Sequence, residues 1–125
     1  MLIDRKRLEE EYSNLFQGYL EYNRVVQEME DVLDSKKEAF KALPWWKKLG
    51  GGRPIYESSE ITDLWLSVIS FGERLSKIKR LISYSCEDKI HIDDSLLIQN
   101  PSYVYSVYLG ILYRWDGDKY VKEKG

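Results

Sequence analysis

The chain is predicted to adopt an α+β fold in which a long N-terminal helix folds back on a second helix as an antiparallel helical hairpin, followed by a small C-terminal antiparallel β-meander. Two observations predict it. Apolar residues recur at steps of four and three over two separate stretches, 8–33 and 61–82, the repeat of one helix face. Beyond residue 88 that period gives way to alternation, with β-favouring Tyr, Val, Ile and Trp separated by turn residues.

The first stretch places Leu8, Tyr12, Leu15, Tyr19, Tyr22, Val26, Met29 and Leu33 on one heptad seam. Asp4 is a reasonable N-cap for the helix that carries it. Phe16, Leu20, Val25 and Val32 widen the seam beyond the narrow stripe of a two-stranded coiled coil, so the helix is expected to touch two neighbours. The seam tyrosines also carry hydroxyls that need partners. Pro44 disfavours helical geometry at the residue before it, which ends the helix near Leu43 and bounds a first segment, 1–43.

Residues 44–57 form a connector rich in Trp and Gly. Pro44 can open a short turn of helix through Trp45, Trp46, Lys47, Lys48 and Leu49, where its missing N–H costs nothing. Gly50, Gly51 and Gly52 then stop any helix. Ser58 or Ser59 can cap the second helix, 58–85, with Ile61, Leu64, Val68, Phe71, Leu75, Ile78 and Ile82 on its stripe and Trp65 beside it.

Short strands and a terminal hairpin are expected over 88–123, and the whole chain, 1–125, reads as a single domain. Ile90 and Ile92 alternate with polar neighbours, and Leu96 to Ile98 read as another short strand. The stretch from Tyr103 to Trp115 reads as extended, with Asp116 and Gly117 turning the chain before Lys119, Tyr120 and Val121. A competing reading makes 103–115 a buried helix, with Asn100 as cap and Pro101 at its first position. Gly110 weakens either element and would mark a bulge in a strand.

A chain of 125 residues with a net charge of −2 has one core and no long-range field to draw it to duplex nucleic acid. Cys86 is the only cysteine, which excludes an intrachain disulfide and a cysteine-cluster metal site and suits a reducing, cytoplasmic setting. No segment reads as a signal peptide or as a span of about 20 apolar residues, so no integral membrane association is expected.

Candidates for chemistry are few. His91 is the only histidine, and alternation puts it on the opposite strand face from Ile90 and Ile92, which makes it a solvent-facing residue. No set of His, Cys and carboxylates has metal-ligand spacing, and Asp116-Gly117-Asp118 lacks the distal Glu of a calcium loop. Neither a metal nor another cofactor is expected. Gly50 to Gly52 lack the Lys-Ser/Thr ending of a phosphate-binding loop. Lys41 to Arg53 gathers cations around Trp45 and Trp46, and Arg74, Lys77, Lys79 and Arg80 form a second basic cluster, expected to be a solvated face.

These features favour a non-enzymatic, homo-oligomeric binding or adaptor protein that acts through protein–protein contacts, in the manner of a small inhibitor. The seam from Leu8 to Leu33 would form part of a dimer interface. The alternative is a protein that sequesters a nucleotide or another phosphorylated aromatic ligand at a subunit boundary. Trp45, Trp46 and Tyr108 would stack on its ring, and Arg53 and Arg114 would hold its phosphate.

Overall fold

A helix of 37 residues, about 55 Å long, organises the molecule. The computed structural model describes residues 1–49 and 59–124, without the side chains of 48, 49 and 124. In chain order the elements are strand β1 (Leu2–Asp4), helices α1 (Arg5–Lys41), α2 (Trp45–Leu49) and α3 (Ser59–Tyr84), strand β2 (Lys89–His91), a 3-10 turn (Asp94–Leu97), and strands β3 (Tyr103–Ser106), β4 (Ile111–Trp115) and β5 (Tyr120–Lys124). The expected α+β hairpin-plus-meander architecture is present: α1 packs along α3, and β3, β4 and β5 form an antiparallel sheet.

The seam is satisfied within the chain. Leu8, Leu15, Tyr22, Val26, Met29 and Leu33 are buried, Tyr12 and Tyr19 are half-buried, and the stripe of α3 supplies Ile61, Val68, Phe71, Leu75 and Ile78 to the same core. Tyr19 stacks on Phe71 with ring centroids 5.9 Å apart. Trp65, beside the stripe, donates from Nε1 to Glu30 Oε2 at 3.0 Å, which gives its indole N–H the partner a half-buried tryptophan requires. The surface assigned from sequence to a second subunit is therefore covered by α3 of the same chain. Of the residues that widen the stripe, Val25 is buried and Val32 half-buried, and Phe16 and Leu20 are exposed.

A polar ladder on the neighbouring face of α1 docks the three-stranded sheet. Glu21, Arg24 and Glu28 lie three and four residues apart, so they share a face. Arg24 binds both Glu21 oxygens at 2.9 Å and Glu28 Oε1 at 2.7 Å. The ladder then reaches the sheet: Arg24 Nη2 donates to the Tyr120 carbonyl, the Tyr120 N–H donates to Glu21 Oε1, and the Tyr113 hydroxyl donates to Glu28 Oε2 at 2.6 Å. The Arg24 hydrogen bonds hold the Glu21 carboxyl below its ordinary range.

Several local expectations are corrected. Residues 2–4 are not part of the helix but pair antiparallel with β2, Ile3 opposite Ile90, and the Met1 and Ile92 backbones extend the ladder. Asp4 stands at the N-cap, but its side chain makes no capping bond; the Arg5 N–H is taken by the Asp88 carbonyl at 2.7 Å. Leu96 and Leu97 belong to the 3-10 turn, which Asp93 initiates by accepting from the Ser95 N–H.

The stretch 103–115 is neither one strand nor a helix, because Val107 to Gly110 turn the chain between β3 and β4. Gly110 is not a bulge. It has φ +68° and ends that turn, a backbone conformation that glycine adopts without penalty. The reversal sets the faces of the sheet: Val104 and Ser106 join Ile111 and Tyr113 inside, whereas Tyr103 and Tyr105 are exposed. The Asp116-Gly117 turn stands as expected, with Asp116 accepting from the N–H groups of Asp118 and Lys119.

Arg5 links the two ends of the fold. Its guanidinium donates to the carbonyls of Ser85 and of Ile82, the latter at 2.7 Å, at the C-terminal end of α3, where carbonyls lack helical partners and the dipole favours a cation. Arg5→Ala is expected to lower stability by about 1–2 kcal/mol, read from urea unfolding, with Arg5→Lys recovering part of it. An unchanged midpoint in Arg5→Ala would mean that water serves those carbonyls equally well.

Candidate functional site

The last turns of α3 converge with β2 and the 3-10 turn around an open groove of about 600 Å³. Its position follows from local structure. The apolar stripe of α3 faces the core, which leaves Lys77 and Arg80 on the helix flank, while β2 alternates with Ile90 inward and Lys89 and His91 outward. Leu81, Ile90 and Leu96 form an apolar floor, and Tyr84, 84% exposed, stands at its margin.

The rim is cationic. Lys77, Arg80 and Lys89 line the groove with His91, against one acid, Glu87. Among the described residues, the ion pairs join Arg5 to Glu9, Arg24 to Glu21 and Glu28, Lys41 to Glu38, and Arg114 to Glu123, so none neutralises these three cations. An apolar floor with an unneutralised basic rim suits an anionic ligand that also has apolar surface to bury.

Part of the basic cluster seen in the sequence serves the fold instead. Arg74 donates to the Ile98 carbonyl at 2.7 Å and lies 4.7 Å from the centroid of the Phe71 ring, so it ties the segment after the 3-10 turn to α3. Desolvation in that position shifts its pKa downward. Lys79 lies on a further part of the α3 surface with Ser76, Arg80 and Ser83.

The ligand residues proposed from sequence fall on separate elements. Trp45 and Trp46 are exposed on α2, with Lys47 over the Trp46 ring, and Tyr108 lies in the turn between β3 and β4. Arg114 is on the outer face of β4, where Glu123 of β5 holds its guanidinium. Among the described residues no hydrogen bond or cation–π contact joins Arg114 to Trp45 or Trp46. Arg53, Gly50 to Gly52 and the Ser58 cap lie outside the described residues.

His91 is solvent-facing on β2, as alternation predicts, and the groove places it beside Lys89. Sequence reasoning identified Lys77 and Arg80 as a cluster but missed Lys89, Ile90 and Leu96 as their neighbours. The available signal was the heptad stripe of α3, which orients its flank, together with the tight return after Tyr84. No group of three or more His, Cys, Asp or Glu residues suited to a metal ion occurs among the described residues. No helix among them is long and apolar enough to cross a membrane. No protein family, curated protein or solved structure matches the chain.

Proposed function

We propose that this chain is a non-enzymatic protein-binding module of the adaptor or inhibitor kind, and that the groove between α3 and β2 takes an acidic segment of its partner. The observation that carries this reading is the pairing of an apolar floor, Leu81, Ile90 and Leu96, with three cations that have no ion-pair partner among the described residues. Carboxylates of the ligand would meet Lys77, Arg80 and Lys89 at the rim, steering encounter and orienting the segment. Its apolar side chains would replace water over the floor, and Tyr84 would contribute a ring at the margin. The reading needs no second copy of the chain, since the heptad seam is filled by α3.

The test is fluorescence anisotropy with a labelled peptide of alternating Glu and Leu. The double variant Lys77→Glu/Arg80→Glu is expected to bind at least about tenfold more weakly, a loss of roughly 1.4 kcal/mol, and added salt should weaken the unmodified protein in the same direction. A peptide of alternating Lys and Leu should bind more weakly than the Glu peptide. Equal binding by the double variant, or a preference for the Lys peptide, removes the proposal. ATP that competes with the Glu peptide would instead favour the phosphorylated aromatic ligand.

A further inference from the structure

The three-stranded sheet has two edges, and they are treated differently. At β5 the sequence is Tyr-Val-Lys-Glu-Lys, and both backbone groups of Tyr120 are tied to α1 through Glu21 and Arg24. Charge and cover of this kind keep a sheet edge from pairing with other chains. At β3 the sequence is Tyr-Val-Tyr-Ser, with no charge and no proline, and among the described residues no helix side chain bonds to the backbone of Tyr103 or Tyr105.

The ladder shows which backbone groups this leaves open. Trp115 donates to the Ser102 carbonyl at 2.8 Å, and the register sets Tyr103 opposite Arg114 and Val104 opposite Tyr113. Bonded and non-bonded pairs alternate along an antiparallel ladder, so Val104 and Ser106 bond to β4, whereas Tyr103 and Tyr105 direct their N–H and C=O groups away from it. No described residue bonds to those groups. Tyr103, Tyr105 and Val107 are 54%, 57% and 77% exposed.

Beside this edge a groove of about 360 Å³ runs between β3 and the first turns of α3. Glu60 closes one end by accepting from the Ser106 hydroxyl and from the Val107 N–H. Asp63 lines the groove, is exposed, and has no partner for its carboxylate among the described residues; Leu64 supplies apolar surface beside it.

We infer that β3 is a strand-addition site that takes an extended peptide segment alternating apolar and cationic residues. Main-chain bonds to Tyr103 and Tyr105 supply the attachment, as in other cases where a peptide extends a sheet. One set of alternate side chains turns toward α3, where Asp63 selects a cation. A second copy of the chain fits less well, since its β3, Tyr-Val-Tyr-Ser, has no cation to offer Asp63. This inference is independent of the basic groove, which takes the opposite charge.

The probe is the capped hexapeptide Lys-Val-Lys-Val-Lys-Val, titrated into isotope-labelled protein and followed by NMR. Binding is expected with a Kd on the order of 1 mM or tighter, with chemical-shift changes centred on Tyr103 to Val107 and amide exchange at Tyr103 and Tyr105 slowed at saturation. Asp63→Lys should weaken binding by about threefold to tenfold. The same peptide N-methylated at alternate residues should not bind, a control that leaves the protein unchanged. Absence of shifts at this edge up to millimolar peptide overturns the inference, as does equal binding of the N-methylated peptide or of a Glu-Val counterpart. Slow exchange at Tyr103 and Tyr105 without peptide, together with a doubled native mass, would assign the edge to a second copy and overturn it as well.

Discussion

Gly18→Ala is expected to destabilise the fold by about 1–3 kcal/mol, although the same change in the middle of an exposed helix stabilises by up to about 1 kcal/mol. Gly18 is buried in α1, and an added Cβ would lie 2.5 Å from Asn100 Oδ1 and 2.9 Å from its Cγ. Asn100 cannot simply swing aside. It is 8% exposed, its Cβ is itself 3.4 Å from the added atom, and its Nδ2 donates to the Tyr120 hydroxyl at 2.7 Å. That hydroxyl donates onward to the Pro101 carbonyl at 2.6 Å. Moving Asn100 therefore strains a chain of hydrogen bonds that joins the segment before β3 to β5, at the place where that segment packs on α1. Urea unfolding measures the effect, and Asn100→Ser in the Gly18→Ala background should restore part of the loss. A Gly18→Ala protein more stable than its parent would falsify the close-packing account.

Alkaline pH is expected to weaken the fold between about pH 10 and 12 through Tyr113 and Tyr120. Burial pushes both hydroxyls up to about 12, and for Tyr113 the Glu28 carboxylate that accepts its proton adds to the shift. The sign follows from linkage. Below the unfolded value, near 10, both states hold the proton and stability is unaffected. Between the unfolded and folded values only the unfolded chain releases it, so stability falls as pH rises. A shift of this size corresponds to about 2 kcal/mol for each tyrosine by pH 12. Urea unfolding across this range, compared with Tyr113→Phe, isolates that residue's share: the variant should lose stability less steeply. Identical slopes would show that Tyr113 ionises as freely in the folded protein as in the unfolded one.

The helices were legible because their signal is local and repeated. Leu8 to Leu33 and Ile61 to Ile82 each mark one face many times over, and Pro44 marks the end of α1 by its own covalent geometry. The turn at Asp116 and Gly117 was legible for a similar reason, since the Asp carboxylate and the Gly backbone carry the turn between them.

Other elements carried little local signal. Strand β1 has three residues, too few for a period, and its partner β2 lies 85 to 89 residues further along the chain. The turn from Val107 to Gly110 contains Val, Tyr and Leu, residues that favour strands, so the chain reversal there passed for continuous strand. Of the basic groove, Lys77 and Arg80 were visible as a cluster on α3. Lys89, Ile90 and Leu96 join them only because the chain returns across the end of that helix.

The same division explains why the seam suggested a dimer. Periodicity states that a helix face must be covered, but it does not state by what, because burial has no direction in sequence. Local pattern was enough for the class of fold, the two long helices and the faces they bury. Packing between distant elements settled that α3 covers the seam, that Glu21, Arg24 and Glu28 dock the sheet, and that three cations surround one apolar floor. Those are contacts between residues far apart in the chain, set by the packing of whole elements rather than by the preference of any one segment.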